Sequence, residues 1–266
     1  LRFEGKLDGE GEQEMSEKDN AQSLVDHLTE LRRRLVVVGV VFVAVLVAAF
    51  FVVDPIYHYV TKNAISGVAI ELNAFSFWDG VGVYMKIAML VALGITLPFT
   101  LYQVWAFVSP GLKAQERKAT ARYIPYVFVF FLAGLAFGYY VVFPLAMTFT
   151  GSLNKQLGLV ETYGMADYFK FLTNIVLPIS LLFELPLVIL FLTQLRILNP
   201  LRLKKMRRAA YFALVVVSVM ITPADFFSAF LVLVPLVLLY ELSVFLSKRV
   251  YAKQQAADAE RAEKYK

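Results

Sequence analysis

The chain of 266 residues has no cysteine, two histidines and two tryptophans, and only 18% of its positions are charged. Without cysteine there can be no disulfide, thiolate zinc site, thiol redox chemistry or cysteine-ligated cluster. The two histidines, His27 and His58, are widely separated in sequence and do not begin a metal-ligand spacing. HExxH, GxSxG, the P-loop and the glycine-rich dinucleotide turn are all missing, so metal hydrolysis, serine catalysis and ATP use lack their parts. An enzyme and a bound cofactor are therefore not expected.

What the chain has in excess is apolar surface: 59% of its residues are hydrophobic and 15% aromatic, too many for an ordinary soluble domain. They are gathered into long runs. Leu35 to Val53 is 19 residues without a charge, Ile87 to Leu112 is 26, and Tyr123 to Asn154 is 32. Phe171 to Leu195 is interrupted only by Glu184, Ala209 to Ala224 has 16 residues, and Phe226 to Ser247 contains only Glu241. Each reads as a membrane-spanning helix, which predicts an all-α polytopic protein of six spans. The first run starts after residue 34 and lacks a small-residue cleavage site, so it reads as a true span rather than a signal peptide.

The net charge of +5 could suggest a nucleic-acid partner, but its distribution argues otherwise. Twenty of the 26 Lys and Arg fall between Met15 and Arg34, in the second-to-third and fourth-to-fifth loops, and after the last span. Only Lys62, Lys86, Lys155 and Lys170 lie on the opposite side. An excess of basic residues marks the cytoplasmic side, so both termini are expected in the cytoplasm and nucleic acid is not needed to explain the charge. Residues 1–14 are polar and Gly/Glu-rich and read as a fusion remnant or a disordered extension. Residues 15–250 form the membrane domain, and 251–266 a polar cytoplasmic tail.

Leu24, Leu28, Leu31 and Leu35 form the stripe of an amphipathic helix expected on the cytoplasmic surface before the first span. The outer loop Asp54 to Gly82, with Phe75, Phe77 and Trp78, suits the interface and should form a short cap, as should Gly151 to Asp167. Seven prolines, at 98, 125, 144, 178, 186, 223 and 235, fall in or at the ends of spans and favour kinks. The fifth span is short. Kinked long helices beside a short hairpin suggest a curved, open shape that thins lipid.

Several acidic residues stand out. Glu184, in LLFELPL, sits mid-span, where a charge costs about 2.5–3.5 kcal/mol; it should meet a polar partner, face a cavity or relay a proton. Glu241 is expected to snorkel or to pair with Lys248 or Arg249. Glu116 is the only acid in the basic loop SPGLKAQERKATAR, and Glu30 has Arg33 and Arg34 at i+3 and i+4, the spacing of an ordinary surface pair.

Taken together, HLTELRRRL, LYQVWAFVSPGLKAQERK, FGYYVVFPLAMTF, LLFELPLVI and ITPADFFSAFLVLVPLVLLYE follow in the order of the TatC family, the multispanning receptor of the twin-arginine protein translocase. The chain resembles that family from about residue 20 to residue 250. The resemblance implies a glove-shaped receptor in the bacterial cytoplasmic membrane. Such a receptor binds twin-arginine signal peptides of folded cargo, assembles with single-span TatA and TatB in an oligomeric complex, and draws on the proton-motive force. It also implies roles residue by residue. Glu116 corresponds to the signal-recognition glutamate, and Glu30 to the acid that shares its site. Phe107 and Pro110 correspond to the start of that loop, and Glu184 to the mid-membrane acid on the concave side. Pro55 and Asp225 match functional positions of the outer loops. Ala229 departs from the glutamine of some relatives. Two other readings, a proton-coupled transporter using Glu184 and a scaffold that only assembles single-span partners, differ in expecting no signal-peptide binding at Glu116.

Overall fold

The computed structural model describes residues 4–62, 72–109, 117, 121–160, 162–222 and 226–264, with residues 4–27, 62, 226–228, 261 and 264 described by backbone alone. The described chain is helical almost throughout. Helix α1 runs Glu4–Lys62, α2 Asp79–Val108, α3 Ile124–Phe137, α4 Phe143–Gln156 and α5 Met165–Leu182. Helices α6 (Leu185–Gln194), α7 (Pro200–Lys205), α8 (Arg207–Ile221) and α9 (Phe226–Lys264) complete it. Five stretches are long and apolar enough to cross a bilayer: Leu28–Thr61, Asp79–Val108, Ile124–Gln156, Met165–Gln194 and Ala229–Glu260. With the shorter α8 they make the six spans expected from the sequence.

The amphipathic segment Asn20 to Leu35 is not a separate surface helix. It continues without a break into the first span as part of α1, because no Gly or Pro lies between Asn20 and Val38 and Leu, Glu and Arg all sustain the helix.

Proline accounts for most interruptions, since it lacks an N–H and crowds the preceding turn. Before Pro144, residues Gly138–Val142 widen into a π-helical turn in which the Phe143 N–H reaches back to the Gly138 carbonyl. Before Pro186, the fourth span breaks at Phe183 and Glu184, so α5 and α6 are two segments of one crossing. Pro98, Pro178 and Pro235 lie inside their helices. Helix α4 ends at Gly158, whose φ of 68° lets the Leu159 N–H bond the Asn154 carbonyl at 2.9 Å. Arg196, with φ 62°, ends α6 in the same way.

Helix α1 packs along α2, α3 against α2 and α5, and α9 against α6 and α8. The α3–α5 contact is unusually close. A Cβ on Gly134 would lie 2.6 Å from the Ser180 Cα, and one on Gly138 would lie 3.1 Å from the Val176 Cα. The two glycines, four residues apart, let the backbones approach as small-xxx-small interfaces do. Beside this contact, α1, α2, α3 and α5 line an apolar cavity of about 470 Å³ that is open on one side.

At the ends of the spans opposite the termini, two loops join. Leu72–Asn73 (β1) pairs in parallel with Tyr163–Gly164 (β2). The Asp79 carboxylate accepts the N–H groups of Phe75 at 2.8 Å and Ser76 at 3.0 Å, and the Lys86 ammonium donates to the Ala166 carbonyl at 3.3 Å. Phe75, Phe77 and Trp78 remain exposed. The two caps expected separately thus form one structure.

Candidate functional site

At the end of the spans nearest the termini, α1 and α2 meet through a polar chain. Glu30 and Arg34 lie one helical turn apart, so their side chains can touch. Arg34 Nε and Nη2 donate to Glu30 Oε1 at 3.0 and 2.6 Å, while Nη1 donates to Gln103 Oε1 at 3.1 Å. Gln103 is thereby drawn to the acid on the neighbouring helix, and Phe107 follows one turn later on the same side of α2. The sequence expectation of an ordinary i, i+4 pair at Glu30 is met through Arg34. The link to α2 went unread, although a glutamine inside an uncharged run was its signal.

The loop after α2 is anchored from its far side. Trp105 Nε1 donates to the Arg117 carbonyl at 3.3 Å, and the Arg117 guanidinium lies 5.8 Å from the centre of the Trp105 ring, a cation–π contact. Glu116, Pro110 and Asp225 lie outside the described residues.

Glu184 occupies the break between α5 and α6. Its carbonyl accepts the N–H groups of Leu187 and Val188, both at 3.0 Å, so it begins the second segment. The side chain is only 7% exposed, and its Oε1 has no hydrogen-bond partner among the described residues. The carboxyl lies by the Phe131 peptide of α3. A buried, incompletely satisfied carboxyl inside a membrane segment is costly and needs a partner.

Glu241 is satisfied differently from expectation. Lys248 and Arg249 are not its partners; Arg207 Nη2 and the Tyr211 hydroxyl reach it from α8, both at 2.5 Å. Packing of the short α8 across α9 brings these groups closer than residues two turns along the same helix. Pro55 is exposed inside α1, beside Asp54, which accepts from the Tyr84 hydroxyl at 2.9 Å. Ala229 is half-buried and adds no polar group. Among the described residues, His, Asp and Glu form no group of three suited to a metal.

Residues 26–235 match the family described as Sec-independent protein translocase protein (TatC). The chain belongs to the TatC family. It is 42% identical to Sec-independent protein translocase protein TatCy of Bacillus subtilis, covering 91% of this chain and 95% of that one. It is 44% identical to the TatC protein of Halalkalibacterium halodurans, over 95% and 98%. A crystal structure of the twin-arginine translocase receptor TatC, in the detergent DDM, superposes with a TM-score of 0.72 at 29% identity, covering 83% of this chain and 99% of that one. The chain is thus a multi-pass membrane component of a Sec-independent protein translocase, and TatC is a receptor component rather than an enzyme.

Proposed function

We propose that this chain is the receptor core of the twin-arginine translocase, set in the bacterial cytoplasmic membrane with both termini in the cytoplasm. It recognises the paired arginines of cargo signal peptides through Glu30 and Glu116, with Phe107 and Pro110 bounding the surface between them. TatA and TatB are its single-span partners, Glu184 contacts a partner helix or an inserted signal, and Pro55 and Asp225 act on the outer side.

The observation that carries this reading is the Glu30 carboxylate, which already holds a guanidinium by two nitrogens beside Gln103. Arginine presents a planar fork that lysine lacks, so a site of this kind distinguishes the two. Binding of an incoming arginine at Glu30 exchanges one guanidinium for another, and the net gain there is less than the ~1.5–3 kcal/mol of a new charge-assisted bond. Micromolar affinity needs about 8 kcal/mol. Most of it must therefore come from Glu116 and from burial of the signal's apolar segment in the membrane.

The test is photo-crosslinking from position 116 to a twin-arginine peptide and to its twin-lysine version, together with binding to variants. Glu116→Ala should greatly weaken twin-arginine binding and Glu116→Asp weaken it less. Glu30→Ala should give a related defect that is not additive with it in a double-mutant cycle. Equal binding by wild type and Glu116→Ala would remove the receptor assignment.

A further inference from the structure

Helix α7 and the far part of α9 gather more positive charge than they neutralise. The Tyr240 hydroxyl donates to the Leu203 carbonyl at 2.8 Å and holds α7 against α9. Lys204, the next residue on α7, is thereby brought to the α9 face that carries Glu241 and, two turns on, Lys248, so that two positive charges oppose each other there. Ammonium groups only donate, so neither can satisfy the other. Glu241, the acid facing this pair, is occupied by Arg207 and Tyr211. Among the described residues, no carboxylate forms an ion pair with either lysine. Both lysines are exposed, and Arg249 beside them rests on the Phe245 ring at 4.5 Å.

The apolar surface next to this pair completes the pattern. Phe245 is 49% exposed and Leu238 64%, and both lie on the α9 face of Lys248, one and three turns toward the middle of the span. The lysines thus stand where an apolar, lipid-facing stripe ends.

We propose that Lys204 and Lys248 bind the phosphate of an anionic phospholipid whose acyl chain runs along Phe245 and Leu238. Phosphate oxygens accept from both ammonium groups and remove their repulsion. Basic pockets between membrane helices select anionic headgroups on these grounds. The adjoining apolar stripe selects a lipid over a soluble anion. The site lies on the side of the termini, in the cytoplasmic leaflet if the orientation proposed above holds, and it is independent of signal recognition.

The experiment titrates delipidated full-length protein in detergent with phosphatidylglycerol and counts bound lipid by native mass spectrometry. Phosphatidylcholine, inorganic phosphate and polyglutamate serve as competitors. The double variant Lys204→Gln/Lys248→Gln should bind phosphatidylglycerol about 30-fold more weakly, since each lysine near a lipid surface supplies about 1 kcal/mol. The matched control Lys205→Gln/Arg208→Gln, which removes two exposed charges beside the site, should lose no more than about fivefold. Phosphatidylglycerol should raise the unfolding midpoint of wild type and not that of the double variant, which keeps the measurement readable if basal stability changes. Equal affinity of wild type and double variant overturns the proposal, as does a defect in the matched two-charge control as large as the double variant's. Displacement of the lipid by inorganic phosphate or polyglutamate at equal charge would instead assign the lysines to a soluble anion or an acidic protein.

Discussion

At the scale of single residues, Glu184 poses the sharpest question, because its carboxyl is buried with one oxygen unpartnered among the described residues. If it holds a polar group of a partner helix or an inserted signal, Glu184→Gln keeps a hydrogen-bonding side chain and should retain much of transport, whereas Glu184→Leu should not. A proton relay would make the two equally inactive, since neither titrates. Transport of a folded reporter, with membrane levels of each variant measured, separates these outcomes, and we expect the first. Glu241, by contrast, is fully engaged by Arg207 and Tyr211. Two glutamates in apolar spans thus have opposite standing, one satisfied within the chain and one open.

At the scale of elements, the close α3–α5 contact carries a second expectation. Gly134→Ala would place a Cβ 2.6 Å from the Ser180 Cα, backbone that cannot swing aside. The helices must separate, at a cost of about 1–3 kcal/mol. A lowered unfolding midpoint in detergent should report it, and a replacement at Gly39, where a Cβ meets nothing within 4 Å, should leave the midpoint unchanged.

The elements also show what could be read beforehand. Spans follow from uncharged runs, and the break at Glu184 from the proline two residues on, because both are local properties of the chain. The GLAFG spacing that seats α3 on α5 was present in the sequence but passed unread. The partners of Glu241 and the joining of the two outer loops could not be read at all. They depend on which helices become neighbours, and two-residue strands leave no periodic signal. Of the candidate site, the Glu30–Arg34 pair was legible from its spacing, while the bridge to Gln103 required the packing of α1 on α2.

At the scale of the whole molecule, the unequal lengths of the spans should make stability depend on the bilayer. Helix α8 has 15 residues, about 22 Å at ~1.5 Å per residue, against a hydrocarbon core of ~30 Å. The longer helices can tilt or bend to fit a thin bilayer, but α8 cannot stretch to fit a thick one. Reconstituted in phosphatidylcholines of increasing chain length, the protein should be more resistant to unfolding in thin bilayers than in thick ones. Four apolar residues inserted into α8 should weaken that trend, and an unchanged trend would mean that α8 does not set the thickness the protein prefers.

The pairing of Leu72–Asn73 with Tyr163–Gly164 bears on the order in which the protein is built. Synthesis runs from the N-terminus, so α1 and α2 enter the bilayer before the second strand exists. The first hairpin must therefore wait, its outer end unlatched, until the third span has crossed and the start of α5 has been made. Non-local contacts of this kind form late, after chain entropy has been lost, and domains assemble as their parts emerge from the ribosome. The small sheet is then a completion step, which ties the first two spans to the third only once the chain has been made as far as Gly164.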